Sequence, residues 1–311
     1  MSRRKFLCIC LSPAIDATVR MDAWPTDGCI IKNAADTFAP GGKTVNVARW
    51  LAVRSLAAAS GKQAAGERRE PPQHLIACGG LLGEDNAAMF EKELGKYGIE
   101  DRFVRIPGST RVNEMFVTPQ GSFKVNRPAN GGTYRGLEGL GSLGGLEGFD
   151  VVILSGSLPK DWPADTYRHL AEAAKKAGAT VVLDTSGEAL VEGVKAHPDV
   201  IKPNAEECEP LIGFVPKSPD DFLRATAALK AFCDYPIISD GGAGCWFDGT
   251  FVPAPKVEVL DTTAAGDTLL AEWCYSGDVR MAVAAGSAAC TMPGGEPPDV
   301  ALVGKLAGEV V

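Results

Sequence analysis

From Asp150 onward, short apolar runs alternate with amphipathic ones, and that rhythm constrains the fold more than any single residue. Val151–Leu154 reads as a strand, Trp162–Ala177 as a helix, Thr180–Leu183 as a strand and Ala189–Lys195 as a short helix. Val200-Ile201 leads into a loop, Ala205–Ile212 and Phe222–Phe232 are helical, and Pro236–Ser239 is again a strand. Alternation at this spacing predicts a parallel sheet with helices on both faces. Such sheets bind ligands beyond the carboxyl ends of their strands, which directs attention to the loops after Leu11, Leu154, Leu183, Ile201, Ser239 and Leu260.

The first half fits the same sheet less regularly. Phe6–Leu11 reads as a buried first strand, and Leu75–Cys78 as a second one ended by Gly79-Gly80. Asn86–Tyr97 is an amphipathic helix that closes at Gly98, the residue a helix C-terminus prefers. Met21–Ala39 is mixed, and Ile30–Ala34 alternates as an antiparallel strand would. Phe103–Ile106, Val112–Val117 and Phe123–Asn126, with a turn at Pro119-Gln120-Gly121, predict a small sheet outside the main one. The polar stretch Ser60–Gln73 reads as an exposed insertion.

Composition excludes several classes of function. A formal charge of −8 over 311 residues is wrong for a nucleic-acid surface, which wants a basic stripe. No apolar run approaches the roughly 20 residues that span a bilayer. The opening Met1–Lys5 followed by Phe6–Leu11 resembles a signal peptide only superficially, since Ser12–Asp16 offers no small-residue cleavage pattern. The nine cysteines are odd in number and lack Cys-x-x-Cys spacing, so they are expected to be reduced core residues of a cytoplasmic protein. His74, His169 and His197 are scattered and are expected at the surface or in loops.

Chemistry is concentrated in a few segments. In Asp261-Thr262-Thr263-Ala264-Ala265-Gly266-Asp267, small residues precede an expected helix at Thr268, after a run at Val257–Leu260 that alternates like a short strand. Backbone N–H groups converging at a helix N-terminus favour an anion, and the closing aspartate stands where a base would be wanted. A plain helix cap is the alternative for that stretch alone. Gly42-Lys43-Thr44 mimics a phosphate-binding P-loop, but the required earlier glycine is Thr37, so a tight turn with a lysine remains. Asp16 follows a strand end and suits either sugar hydroxyls or a turn. Asn204 and Glu207 carry the signature of a capping box, and equally two oxygen donors for a hydrated magnesium ion. Ser239-Asp240-Gly241-Gly242-Ala243-Gly244 permits close backbone approach to a ligand or a hairpin turn.

Taken in order, these segments resemble the ribokinase-like (PfkB) family of ATP-dependent sugar kinases, in particular its hexose-phosphate branch with 1-phosphofructokinase and tagatose-6-phosphate kinase. The resemblance runs from about Leu7 to Gly294. It rests on residues 12–16, 41–49, 109–113, 155–159, 181–187, 201–207 and 261–267. It implies one three-layer α/β/α domain over residues 1–311, with a mostly parallel central sheet. A small β lid is expected from roughly 17–39 and 103–127, which in relatives also forms a dimer contact.

The resemblance further implies that Asp267 is the general base and that the amides of Ala264, Ala265 and Gly266 form the anion hole. Asp16, Gly41, Gly42 and Asn46 would hold the sugar, with Lys43 and Arg111 on the phosphate it already carries. Lys202, Asn204, Ser239, Gly241, Gly244 and Ser287 would surround ATP, and Asn204 and Glu207 would organise Mg2+ through water. A monovalent cation is compatible with the family. The acceptor would be fructose 1-phosphate, fructose 6-phosphate or tagatose 6-phosphate, yielding the bisphosphate. Four departures from the pattern stand out: Thr44 and Ala264 where glycine is usual, Arg127 at a commonly acidic lid position, and Glu272 for a small residue before a shortened link to Met281. Two other readings stay open: a kinase of an unphosphorylated sugar or sugar acid, and a sugar- or nucleotide-binding homologue impaired in catalysis.

Overall fold

A computed structural model describes residues 3–26, 28, 35–60, 73–129 and 145–310. The first half runs β1 (Lys5–Cys10), β2 (Ala14–Arg20), β3 (Ala35–Gly41), α1 (Lys43–Ser60), β4 (Leu75–Gly83), α2 (Ala88–Tyr97), β5 (Glu100–Ile106), β6 (Val112–Thr118) and β7 (Gly121–Val125). The second half continues with β8 (Val151–Ser155), α3 (Thr166–Lys176), β9 (Thr180–Asp184), α4 (Gly187–Gly193), β10 (Val200–Ile201), α5 (Glu209–Ile212) and α6 (Pro219–Leu229). It closes with β11 (Tyr235–Ser239), β12 (Gly244–Phe247), β13 (Thr250–Pro253), α7 (Ala265–Ser276), α8 (Val279–Ala289) and α9 (Val300–Ala307).

Among the described residues, nine strands form one sheet in the order β13-β12-β11-β10-β9-β8-β1-β4-β5. It is parallel from β11 to β5, and β12 and β13 add an antiparallel hairpin at one edge. β1 shows why three layers form. Its period-two alternation sends Phe6, Cys8 and Cys10 into a core shared with α1, α2, α7, α8 and α9. Leu7 and Ile9 face the opposite core, under α3, α4 and α6. A strand apolar on both faces needs helices over both, as an α/β/α fold supplies.

A second sheet of four strands, β3-β2-β6-β7, stands beside the first and overhangs the carboxyl ends of its strands. Its membership corrects the expectation at one point. Glu100–Ile106 pairs in parallel with β4 at the edge of the main sheet, so of the expected segment 103–127 only β6 and β7 join the small sheet. Leu75 onward does not stop at Gly79-Gly80 either, since β4 runs to Gly83. Gly80 stays inside the strand because a Cβ there would lie 1.9 Å from the Cys10 carbonyl oxygen, so β1 and β4 close up only without a side chain.

Two further expectations are corrected. Val257–Leu260 is not a strand: among the described residues none pairs with it as a strand, and the N–H groups of Leu260 and Asp261 donate instead to the Cys290 carbonyl at the end of α8. His74 is buried, its Nδ1 accepting from the Arg4 N–H and its ring edge-on to Phe6 and Tyr275. The predicted strand Ile30–Ala34 and nearly all of the insertion at 60–73 lie outside the described residues. No described helix is long and apolar enough to cross a membrane.

Candidate active site

The strand ends meet the small sheet at a cavity of about 490 Å³. Ser12 after β1, Gly156 and Ser157 after β8, Ser186 after β9 and Lys202 after β10 line its floor. The small sheet supplies Asp16, Asn113, Glu114, Met115 and Lys124. Lys43 and Asn46 at the start of α1 and Thr263, Ala264, Gly266 and Asp267 at the start of α7 complete it. Of the residues expected to act on sugar and phosphoryl group, Asp16, Gly42, Lys43, Asn46, Arg111, Ala264, Gly266 and Asp267 are therefore brought together, with Lys202. Gly41 sits immediately behind Asp16, where a Cβ would collide with the carboxylate.

The turn into α7 is built by Asp261. Its Oδ1 accepts from the Thr263 N–H at 2.8 Å and its Oδ2 from the Gly294 N–H at 3.1 Å. Ala264 is the cap of α7 with φ 65°, and its carbonyl takes the first helical bond from the Thr268 N–H. The Ala265 N–H turns back to the Thr262 carbonyl at 3.3 Å, whereas no acceptor among the described residues takes the N–H groups of Ala264 and Gly266. The Lys202 ammonium lies beside the same point, 3.4 Å from where a Gly266 Cβ would be. Free amides, a helix N-terminus and a lysine converge there, and each favours an anion.

Asp267 is buried on the first turn of α7, and its Oδ2 accepts from Asn46 Nδ2 at 2.8 Å. Burial and the nearby Asp184 push its carboxyl up to about 6, against the opposing pull of Lys43, the Asn46 hydrogen bond and Lys202. At neutral pH it is thus an ionised carboxylate of raised basicity, as a proton acceptor should be.

Asp184, at the end of β9, is a site residue the sequence reading overlooked. Its Oδ1 lies 3.2 Å from Lys43 Nζ and 3.3 Å from Lys202 Nζ, and its Oδ2 accepts from Ser155 Oγ. Burial would raise this carboxyl, but the two ammonium groups hold it below the usual carboxylate range. Burial works against the charge on Lys43 as well, yet Asp184, Asp267 and Glu207 together hold that ammonium above its ordinary value. The available signal was positional: an acid closing an apolar strand in a parallel sheet.

Other expected residues take more specific places. Thr44 adds no side chain to the cavity lining: its hydroxyl is fully buried and donates toward the carbonyls of Ile9 and Ser155, tying α1 to two strand ends. Arg111 lines the cavity while donating to the carbonyls of Ser12, Pro13 and Arg127. Arg127 pairs with Glu114 on the small sheet. Asp16 accepts from Asn113 Nδ2 at 3.1 Å, and burial raises its carboxyl despite that bond and the charge of Lys124.

Asn204, Glu207, Ser239, Gly241, Gly244 and Ser287 lie outside the cavity lining. Asn204 and Ser239 are joined by a β-bridge. Asn204 Oδ1 accepts from the Glu207 N–H at 2.8 Å, and Glu207 Oε2 from the Asn204 N–H at 2.9 Å, a reciprocal capping box. That leaves one carboxylate oxygen on Glu207, and no cluster of three or more metal-ligating side chains exists among the described residues. This donor set fits a hydrated ion held through water and does not fit a direct cage. Gly244 has φ 145°, and a Cβ there would meet the Val252 carbonyl at 2.2 Å, so it serves the hairpin of β12 and β13. Gly286, adjacent to Ser287, packs α8 against the Ala265 carbonyl.

The same order of parts recurs in known proteins. The chain is 30% identical over 286 residues to 1-phosphofructokinase of Rhodobacter capsulatus, covering 89% of this chain and 84% of that one. It is 28% identical over 269 residues to 1-phosphofructokinase of Bacillus subtilis, covering 85% and 82%. Phosphofructokinase-2 from Escherichia coli superposes with a TM-score of 0.82 at 22% identity, over 99% of both chains, which shows a common ribokinase-like fold. The sequence model of the pfkB family carbohydrate kinases matches residues 10–298, and the chain belongs to that family.

Proposed function

We propose that this kinase transfers the terminal phosphoryl group of ATP to a hydroxyl of a hexose monophosphate, a fructose or tagatose phosphate, giving the bisphosphate and ADP. The observation that carries the reading is the meeting of Asp267 with the unbonded amides of Ala264 and Gly266 and the ammonium groups of Lys202 and Lys43 in one cavity. The accepting oxygen attacks the terminal phosphorus, the bond from that phosphorus to the bridging oxygen breaks, and that oxygen leaves on ADP. Asp267 takes the hydroxyl proton on the oxygen that Asn46 does not occupy. The amides and Lys202 hold the charge on the transferred group, and positioning with electrostatics supplies most of the rate.

Asp16 and Asn113 suit the sugar hydroxyls, and Lys43, Lys124 and Arg111 suit the phosphate the sugar already carries, where charge-assisted bonds are strong. This cationic lining favours a phosphosugar over a free sugar. Glu207 and Asn204 would hold magnesium through water, where the ion neutralises phosphate charge. A second copy pairing through the small sheet is part of the same reading.

A coupled ADP-release screen over hexose monophosphates and free hexoses tests it. Turnover confined to monophosphates is expected. Turnover with free hexoses alone would overturn the substrate class.

A further inference from the structure

The Asn46 side chain stands between two groups that demand opposite things of it. On one side its Nδ2 donates to Asp267 Oδ2 at 2.8 Å. On the other, its Oδ1 accepts from Arg49 Nη2 at 2.7 Å. Arginine offers donors only, so the amide oxygen must face it, and the planar amide then turns its NH2 group to the carboxylate. Arg49 is itself anchored. Its Nη2 also donates to the Pro40 carbonyl at 2.8 Å, its Nη1 lies 3.3 Å from Glu93 Oε1, and the side chain is only 2% exposed. It lies one turn beyond Asn46 on α1 and is not part of the cavity lining.

We propose that Arg49 is a positioning residue for phosphoryl transfer: by locking the Asn46 amide in one orientation it keeps an N–H donor on Asp267 and reserves the other carboxylate oxygen for the substrate proton. The inference rests on Asp267 being the base. With Arg49 gone the amide can turn over and set its oxygen against the carboxylate. A like-dipole contact there favours the protonated, inactive acid. The other groups facing Asp267 are Asp184 from β9, Lys43 at the start of α1 and Lys202 after β10, and none of them touches Arg49. The route from Arg49 to the base therefore runs through Asn46.

The test follows the Asp267 carboxyl directly. In carboxyl-13C-labelled protein, its resonance is assigned by its loss in Asp267→Asn and titrated in the wild type, Arg49→Met, Arg49→Lys, Asn46→Leu and the Arg49→Met/Asn46→Leu double variant. ADP release with fructose 1-phosphate is followed in parallel. The expected result is an upward shift of about one pH unit in both Asn46→Leu and Arg49→Met, from loss of one hydrogen bond to the ionised form. The double variant shifts no further than Asn46→Leu, because the effects share one path. Arg49→Lys, which keeps a donor, shifts less than Arg49→Met. Turnover of Arg49→Met falls most at acidic pH and recovers as pH rises.

An unmoved titration in Arg49→Met, or a shift that adds in full to that of Asn46→Leu, overturns the proposal. If Arg49→Met does not fold, an unmoved resonance in both Asn46→Leu and Arg49→Lys does the same. Failure of the base assignment is distinguishable, since it would show as near-normal turnover in Asp267→Asn whatever the titrations report.

Discussion

At the scale of single residues, Ala264 is the clearest mark of what the turn into α7, the proposed anion hole, requires. Its φ of 65° lies in the left-handed region, where a Cβ costs an L-residue roughly 1–2 kcal/mol and glycine nothing. The turn keeps the conformation because Asp261 ties it on both sides. Ala264→Gly should therefore raise unfolding free energy by about 1 kcal/mol, after allowance for the greater freedom of glycine in the unfolded chain. Urea denaturation checks this, and a loss of stability would show the turn to be unstrained. Asp267 and its small neighbours were legible in the sequence because they are contiguous. Asp184 was not, because its partners Lys43 and Lys202 come from other parts of the chain and meet it only when three strand ends align.

At the scale of elements, the site depends on the seam between α1 and α7, whose first turns carry Asn46 and Asp267. Deeper along the seam, Glu272 is fully buried, its Oε2 accepting from Trp50 Nε1 at 2.8 Å and lying 2.8 Å from Arg54 Nε. Burial raises this carboxyl against the pull of Arg54 and Trp50. The buried acid at 272 is thus met by one donor and one cation on α1. The short link beyond it is equally accommodated. α7 stops at Gly277, with φ 71°, and Asp278 caps α8 at once through the N–H groups of Arg280 and Met281.

Glu272→Ala should destabilise the protein by about 3 kcal/mol, because it strands Arg54, while Glu272→Leu combined with Arg54→Leu should recover most of that loss. Chemical denaturation of the three proteins separates the two outcomes, and equal stability of Glu272→Ala and the wild type would refute the clamp. The compensation was not visible in sequence, since Trp50 and Arg54 meet Glu272 only when α1 packs against α7, more than 200 residues further along the chain. Val257–Leu260 misled for the opposite reason. Its alternation is real, but Val259 and Leu260 are each 59% exposed, and a strand needs a neighbour as well as a pattern.

At the scale of the whole molecule, the parallel sheet positions the chemistry, and the small sheet covers it. The strand–helix rhythm made the three layers legible, because period-two apolar strands covered on both faces admit few other solutions. The attribution of β5 was not legible: Phe103–Ile106 looks like its lid neighbours, and only its parallel register with β4 assigns it to the main sheet. The small sheet reaches across the cavity through Lys124, whose Nζ donates to Thr263 Oγ1 at 2.6 Å at the turn before α7. Lys124→Met should raise KM for the sugar phosphate several-fold with a smaller change in kcat, as expected for loss of one charge-assisted contact made in ground and transition states alike. Steady-state kinetics read that split, and a fall confined to kcat would contradict it.

The central claim is that Asp267 removes the proton while the amides beside it hold the transferred group. Its most direct test is turnover of Asp267→Asn with ATP and the hexose monophosphate chosen by the screen, alongside the thermal shift that the same ligands produce. The account predicts a fall in kcat of about 10²–10⁴-fold with ligand-induced stabilisation retained. A kcat within about tenfold of the wild type would contradict it.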